Sequence, residues 1–122
     1  MSALLLFLWG CAGSSDDSAA FTCDRDPPLT YANFGEGFMS THCVGCHSVL
    51  VPTDLREGAP AGIDLNTYTD VIAWVDRIEA RAGTTEAGMP PGGGPSEAER
   101  ALLREWLYCS VYTDAEALSA EE

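Results

Sequence analysis

One pentapeptide constrains this chain more than any other feature: Cys43-Val44-Gly45-Cys46-His47. Thiols at this spacing can add to the two vinyl groups of one haem, and the imidazole that follows can bind its iron. The pattern is that of a c-type haem attachment site. A chain built on it must wrap apolar surface around a flat macrocycle, hold and ligate the group, and set its potential and accessibility. A Cys-x-x-Cys also serves as a redox dithiol or as half of a zinc site. A thioredoxin-like dithiol belongs beside a βαβ pattern, which the sequence lacks. The only other histidine, His42, abuts the motif instead of forming a distant ligand pair. Haem attachment is the leading reading, and a haem-free zinc or dithiol module is the alternative.

At 122 residues the chain has room for one small domain, whose modest core a buried haem would enlarge. Its formal net charge of -13 comes from nineteen acids against six arginines, with no lysine, and the acids are scattered from Asp16 to Glu122. Such a surface repels phosphate backbones and excludes nucleic acid as a partner. It keeps the chain soluble and can steer it toward a basic patch on a redox partner protein.

Residues 1–10 read as a signal peptide, with an apolar run too short to span a bilayer. Leu8-Trp9-Gly10-Cys11 resembles the lipobox of bacterial lipoproteins, which implies cleavage before Cys11 and lipid on its thiol. Trp9 is bulkier than that pattern prefers, and the usual basic n-region is missing. Residues 11–28, rich in Ser, Asp and Pro, read as a flexible tether lifting a domain off a membrane. Export to the bacterial periplasm or cell envelope, with a lipid anchor as the membrane contact, is the expected setting. If Cys11 carries lipid and Cys43 and Cys46 carry haem, Cys23 and Cys109 remain. In an oxidising compartment these two can pair.

The folded domain is expected over residues 29–113, followed by an acidic tail, 114–122, that frays. Asn33 is a candidate N-cap for a first helix carrying Phe34, Phe38 and Met39 up to Cys43. Residues 48–65, punctuated by Pro52, Gly58, Pro60 and Gly62, read as an irregular loop. A second helix is predicted from the Thr67 cap through Val71, Trp74, Val75 and Ile78 to a C-cap at Gly83. The third starts at the Ser96-Glu97-Ala98-Glu99 capping box and ends near Cys109, with Leu102, Leu103, Trp106 and Leu107 on its apolar stripe. No strand pattern appears, so the fold class is all-α, three main helices with loops around a cofactor. Gly35 and Phe38 are expected to meet Trp106 and Leu107 where the first and last helices cross.

An iron held by His47 needs a second axial ligand. Met1 leaves with the signal, and Met39 and His42 precede Cys43 too closely to reach round. Met89 remains, in Ala87-Gly88-Met89-Pro90-Pro91-Gly92, where the prolines prevent helix and a loop can present the thioether inward.

With these residues together, the chain resembles a small class I monohaem bacterial cytochrome c. The resemblance runs from about Tyr31 to Tyr108, through Cys43-Val44-Gly45-Cys46-His47, Met89-Pro90-Pro91 and Glu99-Arg100-x-x-Leu103-x-x-Trp106-Leu107. It implies a cytochrome c-like fold, one covalent haem c on Cys43 and Cys46, and axial ligation by His47 and Met89. The implied role is that of an electron carrier, not an enzyme in itself. It also implies that a proline carbonyl accepts a hydrogen bond from His47 Nδ1, with Pro60 the better-spaced match and Pro52 the other. Arg56, Tyr68 and Trp74 are candidate propionate partners, with solvent exposure or packing as their plain alternatives. A haem-based sensor or ligand-binding protein with a dissociable Met89 is the other haem reading, since Gly92-Gly93-Gly94 would let the loop open.

Overall fold

The chain enters its first helix at Thr30, not at Asn33. Thr30 is extended, and its hydroxyl accepts from the Asn33 amide at 3.1 Å while the Asn33 side chain accepts from the Thr30 amide at 2.7 Å. Asn33 thus closes a reciprocal capping box from the third helical position. A π-helical turn, Tyr31–Gly35, runs straight into α1, Glu36–His42, which buries Phe38 and Met39 and delivers Cys43. This computed structural model describes residues 21–122, and among them it is all-α with no strand. The signal segment, Cys11 and the tether up to residue 20 lie outside the described residues. No described helix is long and apolar enough to cross a membrane.

The Thr67–Asp70 capping box starts α2, Tyr68–Ala73, as its sequence suggests. The helix expected to continue to Gly83 breaks at Trp74, whose φ of -113° and ψ of 14° leave the helical region. The Trp74 amide is shared between the carbonyls of Asp70 and Val71. The chain then restarts as α3, Val75–Ala82. Gly83 ends it in right-handed geometry, at φ -66°, where an added Cβ would lie 2.6 Å from the Glu79 carbonyl oxygen. Close approach is what that glycine provides here.

The Ser96–Glu99 box starts α4, Glu97–Trp106, which passes through a π-helical turn, Leu107–Val111, into α5, Tyr112–Ala120. The predicted end near Cys109 and the frayed tail are both corrected. Buried Val111 and two hydroxyls hold the extension down: Tyr68 donates to Asp114 at 2.6 Å, and Tyr112 to Glu79 at 2.7 Å. Burial first, then the neighbouring carboxylate, raises both phenols above their ordinary pKa.

α4 crosses the first helix at the expected place. Trp106 is fully buried over Gly35, where a Cβ would overlap the indole ring, and Phe34 meets it edge-on with centroids 5.8 Å apart. The described end of the predicted tether is pinned. Cys23 and Cys109 form a disulfide with Cα atoms 5.5 Å apart, and Arg25 donates to Glu105 at 2.9 Å. A disulfide typically stabilises a domain by about 2–4 kcal/mol.

Candidate functional site

Where α1 ends, the Met39 carbonyl takes the amides of both Cys43 and Val44, at 2.9 and 3.0 Å. The Cys43 carbonyl in turn takes the amides of Cys46 and His47. The pentapeptide is therefore wound tightly, and Cys43, Cys46 and His47 all line one cavity of about 330 Å³. Phe38 and His42 from α1, Trp74 and Ile78 from the α2–α3 region, and Met89 with Pro90 and Pro91 from a loop complete much of its wall. The two thiols are not disulfide-bonded, and burial pushes that of Cys43 up to about 12.

His47 is oriented by a backbone oxygen. Its Nδ1 lies 2.9 Å from the Ile63 carbonyl, which can only accept, so Nδ1 carries the proton and Nε2 keeps its lone pair. The expected acceptor was Pro60, and this is corrected. A turn over residues 60–63, with Gly62 at φ +89°, closes with the Ile63 amide donating to the Pro60 carbonyl at 3.3 Å. That turn brings the Ile63 carbonyl, not the Pro60 carbonyl, to the imidazole. Pro60 still lines the cavity.

Arg56 organises the same loop. It is 3% exposed and uses all five of its N–H donors: one to Ala59, two to the Ser48 carbonyl and Asp64, two to the carbonyls of Pro60 and Ile63. Neither expectation for Arg56 survives. It is no solvated loop charge, and it has no donor left for a ligand carboxylate. It holds the very carbonyl that orients His47. Tyr68, bonded to Asp114 and packed with its ring centroid 5.1 Å from that of Tyr31, does not line the cavity, whereas Trp74 does.

Met89 is fixed from two sides. Its amide donates to the Arg81 carbonyl at 3.0 Å, and its carbonyl accepts from Arg100 at 2.8 Å. Arg100, also 3% exposed, reaches out of α4 to the Ala82, Gly93 and Pro95 carbonyls as well, tying both ends of the loop. Gly88, with φ +88°, sets the turn into Met89. Of the other candidates, Met39 is 1% exposed in the core, and His42 lies on the cavity wall with Nε2 3.7 Å from Glu99.

The roles of Ile63, Arg56 and Arg100 escaped the sequence reading. Only Arg100 carried a signal. It stands three and seven positions before Leu103 and Leu107, on the apolar stripe, where a charge is buried unless the helix face is shared with a loop. A backbone carbonyl such as that of Ile63 leaves no trace in side-chain identity.

Among the described residues no group of three or more His, Cys, Asp and Glu side chains is arranged to hold a metal ion. The arrangement instead offers two thiols, one imidazole with a free Nε2 and one thioether around a largely apolar space. No protein-family model matches the chain, and no curated protein or solved structure matches it either.

Proposed function

We propose that this protein is a monohaem c-type cytochrome that carries single electrons in the bacterial cell envelope. One observation carries the reading: Cys43, Cys46, His47 and Met89, drawn from two separate segments, line the same cavity. The donor set fits the group. Two thiols can form thioethers to the two vinyl carbons, the Nε2 lone pair of His47 suits iron, and a loop thioether supplies a second, softer ligand. Bound there, haem supplies a one-electron Fe(III)/Fe(II) couple. Phe38, Leu65 and Ile78 exclude water from the cavity, Ile63 and Arg56 keep the His47 ring in one tautomer and orientation, and Arg100 keeps Met89 in place. Ligation that does not change between oxidation states limits reorganisation. A cytochrome c-like wrapping of the chain around the group belongs to the same proposal.

Electron exchange needs a docking surface. Val49, Leu50 and Leu55 are 71%, 85% and 62% exposed in the loop that follows the motif, within a strongly acidic chain that has no lysine. A partner with an apolar patch ringed by basic residues fits that surface. Lipid on Cys11 would hold the domain at the membrane.

A sensor with a dissociable Met89 is the second reading. It is favoured by Gly88, Gly92, Gly93 and Gly94, all at positive φ around the ligand loop. A redox dithiol is disfavoured, because the Cys43 thiol is shifted upward, opposite to an activated cysteine.

The test is a visible spectrum of protein expressed with haem-attachment machinery. Covalently retained haem with a methionine-to-iron charge-transfer band supports the carrier, and Met89→Ala should keep the haem and lose the band. Rapid carbon monoxide binding by the ferrous form favours the sensor. No covalent haem rejects both.

A further inference from the structure

The six arginines divide into two groups. Arg25 pairs with Glu105, Arg56 with Asp64 and four carbonyls, Arg100 with four carbonyls, and Arg104 with the Gly83 carbonyl. Arg77 and Arg81 differ. Among the described residues their side chains make no hydrogen bond or ion pair, although the chain holds nineteen acids. Both are exposed, both stand on α3 one helical turn apart, and both line the cavity. Like charges at this spacing repel each other in a helix. Val75, Ile78 and Ala82 bury the inner face of α3, which places Arg77 and Arg81 at the cavity's edge. Apart from Cys43, Cys46 and His47, the other ionisable groups there are His42, Glu57 and the buried, saturated Arg56. The wall thus carries two cations ready for an anionic ligand, and planar guanidiniums match carboxylates in bidentate fashion.

We infer that Arg77 and Arg81 form a dicarboxylate-binding edge of the cavity and take the two propionates of its haem. This rests on the haem reading above. Thioethers at Cys43 and Cys46 consume the vinyl substituents, so the propionates are the only charged groups the macrocycle has left to place. Tyr68 lies off the cavity and Arg56 is saturated, which leaves these two arginines as the cavity's open cationic donors.

The experiment uses the covalent holoprotein and compares wild type with Arg77→Gln/Arg81→Gln and, as a control, Arg25→Gln. Resonance Raman reads the propionate deformation bands, and redox titration reads the midpoint potential. The double variant should shift those bands and lower the potential, each single variant giving about half the shift, with the helical far-ultraviolet spectrum unchanged. Arg25→Gln should move neither. Arg77→Lys/Arg81→Lys keeps the charge but not the fork geometry, and should restore the potential while leaving the bands shifted. Unshifted bands in the Gln double variant, with haem attached, overturn this inference alone. Wild-type protein without covalent haem overturns it together with the function it rests on.

Discussion

The loop that follows His47 and the loop that carries Met89 are each held by one buried arginine, but the two arginines are anchored differently. Arg56 belongs to the loop it holds, and its charge is met by Asp64 at 2.8 Å. Arg100 comes from α4 and donates only to carbonyls, with no carboxylate within ion-pair distance among the described residues and Glu86 the acid that feels its charge from further off. The His47 side is a self-contained, neutralised unit. The Met89 side depends on a helix docking correctly and leaves net positive charge beside the thioether. On the proposed haem reading, a positive charge near the iron would favour the reduced state, so the less neutralised side would also be the one better placed to set the potential.

The largest effect should come from Arg100→Met. It should weaken the methionine-to-iron band. Arg56→Met should cost about 2–4 kcal/mol in urea unfolding, because only one of its acceptors, Ser48, is a buried residue, while Ala59, Ile63 and Asp64 are half-buried and Pro60 is exposed. Its band should stay intact, and an equal loss of the band in both variants would erase the distinction between the loops.

Asp64→Asn makes Arg56 resemble Arg100, a buried cation among neutral acceptors, and should cost about 1–3 kcal/mol in the same assay. A neutral result would mean that the carboxylate adds nothing to the carbonyl cage. Next come the turn glycines. Gly94→Ala combines a φ of +103° with a Cβ 3.0 Å from Pro90, next to Met89, and should cost about 1–3 kcal/mol. Gly62→Ala, at φ +89° but in open space, should cost about 1 kcal/mol. Equal costs would show that crowding at Pro90 is relieved by loop movement.

The smallest effect concerns acid. Hydrogen bonds from the Ser96 backbone, then its hydroxyl, hold the Glu99 carboxyl below its ordinary range. A group lowered in the folded state contributes stability above its unfolded value, about 4.3, and loses it as pH falls through the folded value. Glu99→Gln keeps the capping geometry without the charge, so its melting temperature should fall less steeply below that pH than the wild type's. Parallel curves would show that α4, and the Arg100 it carries, is insensitive to this cap.

Capping and crossing were legible in the sequence where they depend on local pattern. Thr67, Ser96 and the Gly35–Trp106 contact could be read because a cap needs a small oxygen-bearing side chain, and an indole crossing a helix needs a missing Cβ. Asn33 misled because either residue of a reciprocal box resembles the cap. Trp74 gave no warning of a break, since its apolar spacing fits a continuous helix and the break lies in its backbone angles. The 114–122 tail looked unanchored because Tyr68, the partner of Asp114, and Glu79, the partner of Tyr112 just before it, lie more than thirty residues away.

By itself the sequence determined the all-α class, the pentapeptide and the residues to ask about, because periodicity and ligand chemistry reside in side-chain identity and short spacing. Only the tertiary structure decided that the Ile63 carbonyl meets His47, that Arg56 and Arg100 hold the two loops, and that Arg77 and Arg81 stand open on the cavity. Those outcomes depend on where backbone oxygens point and which charges find partners, and both are settled by packing between segments far apart in the chain.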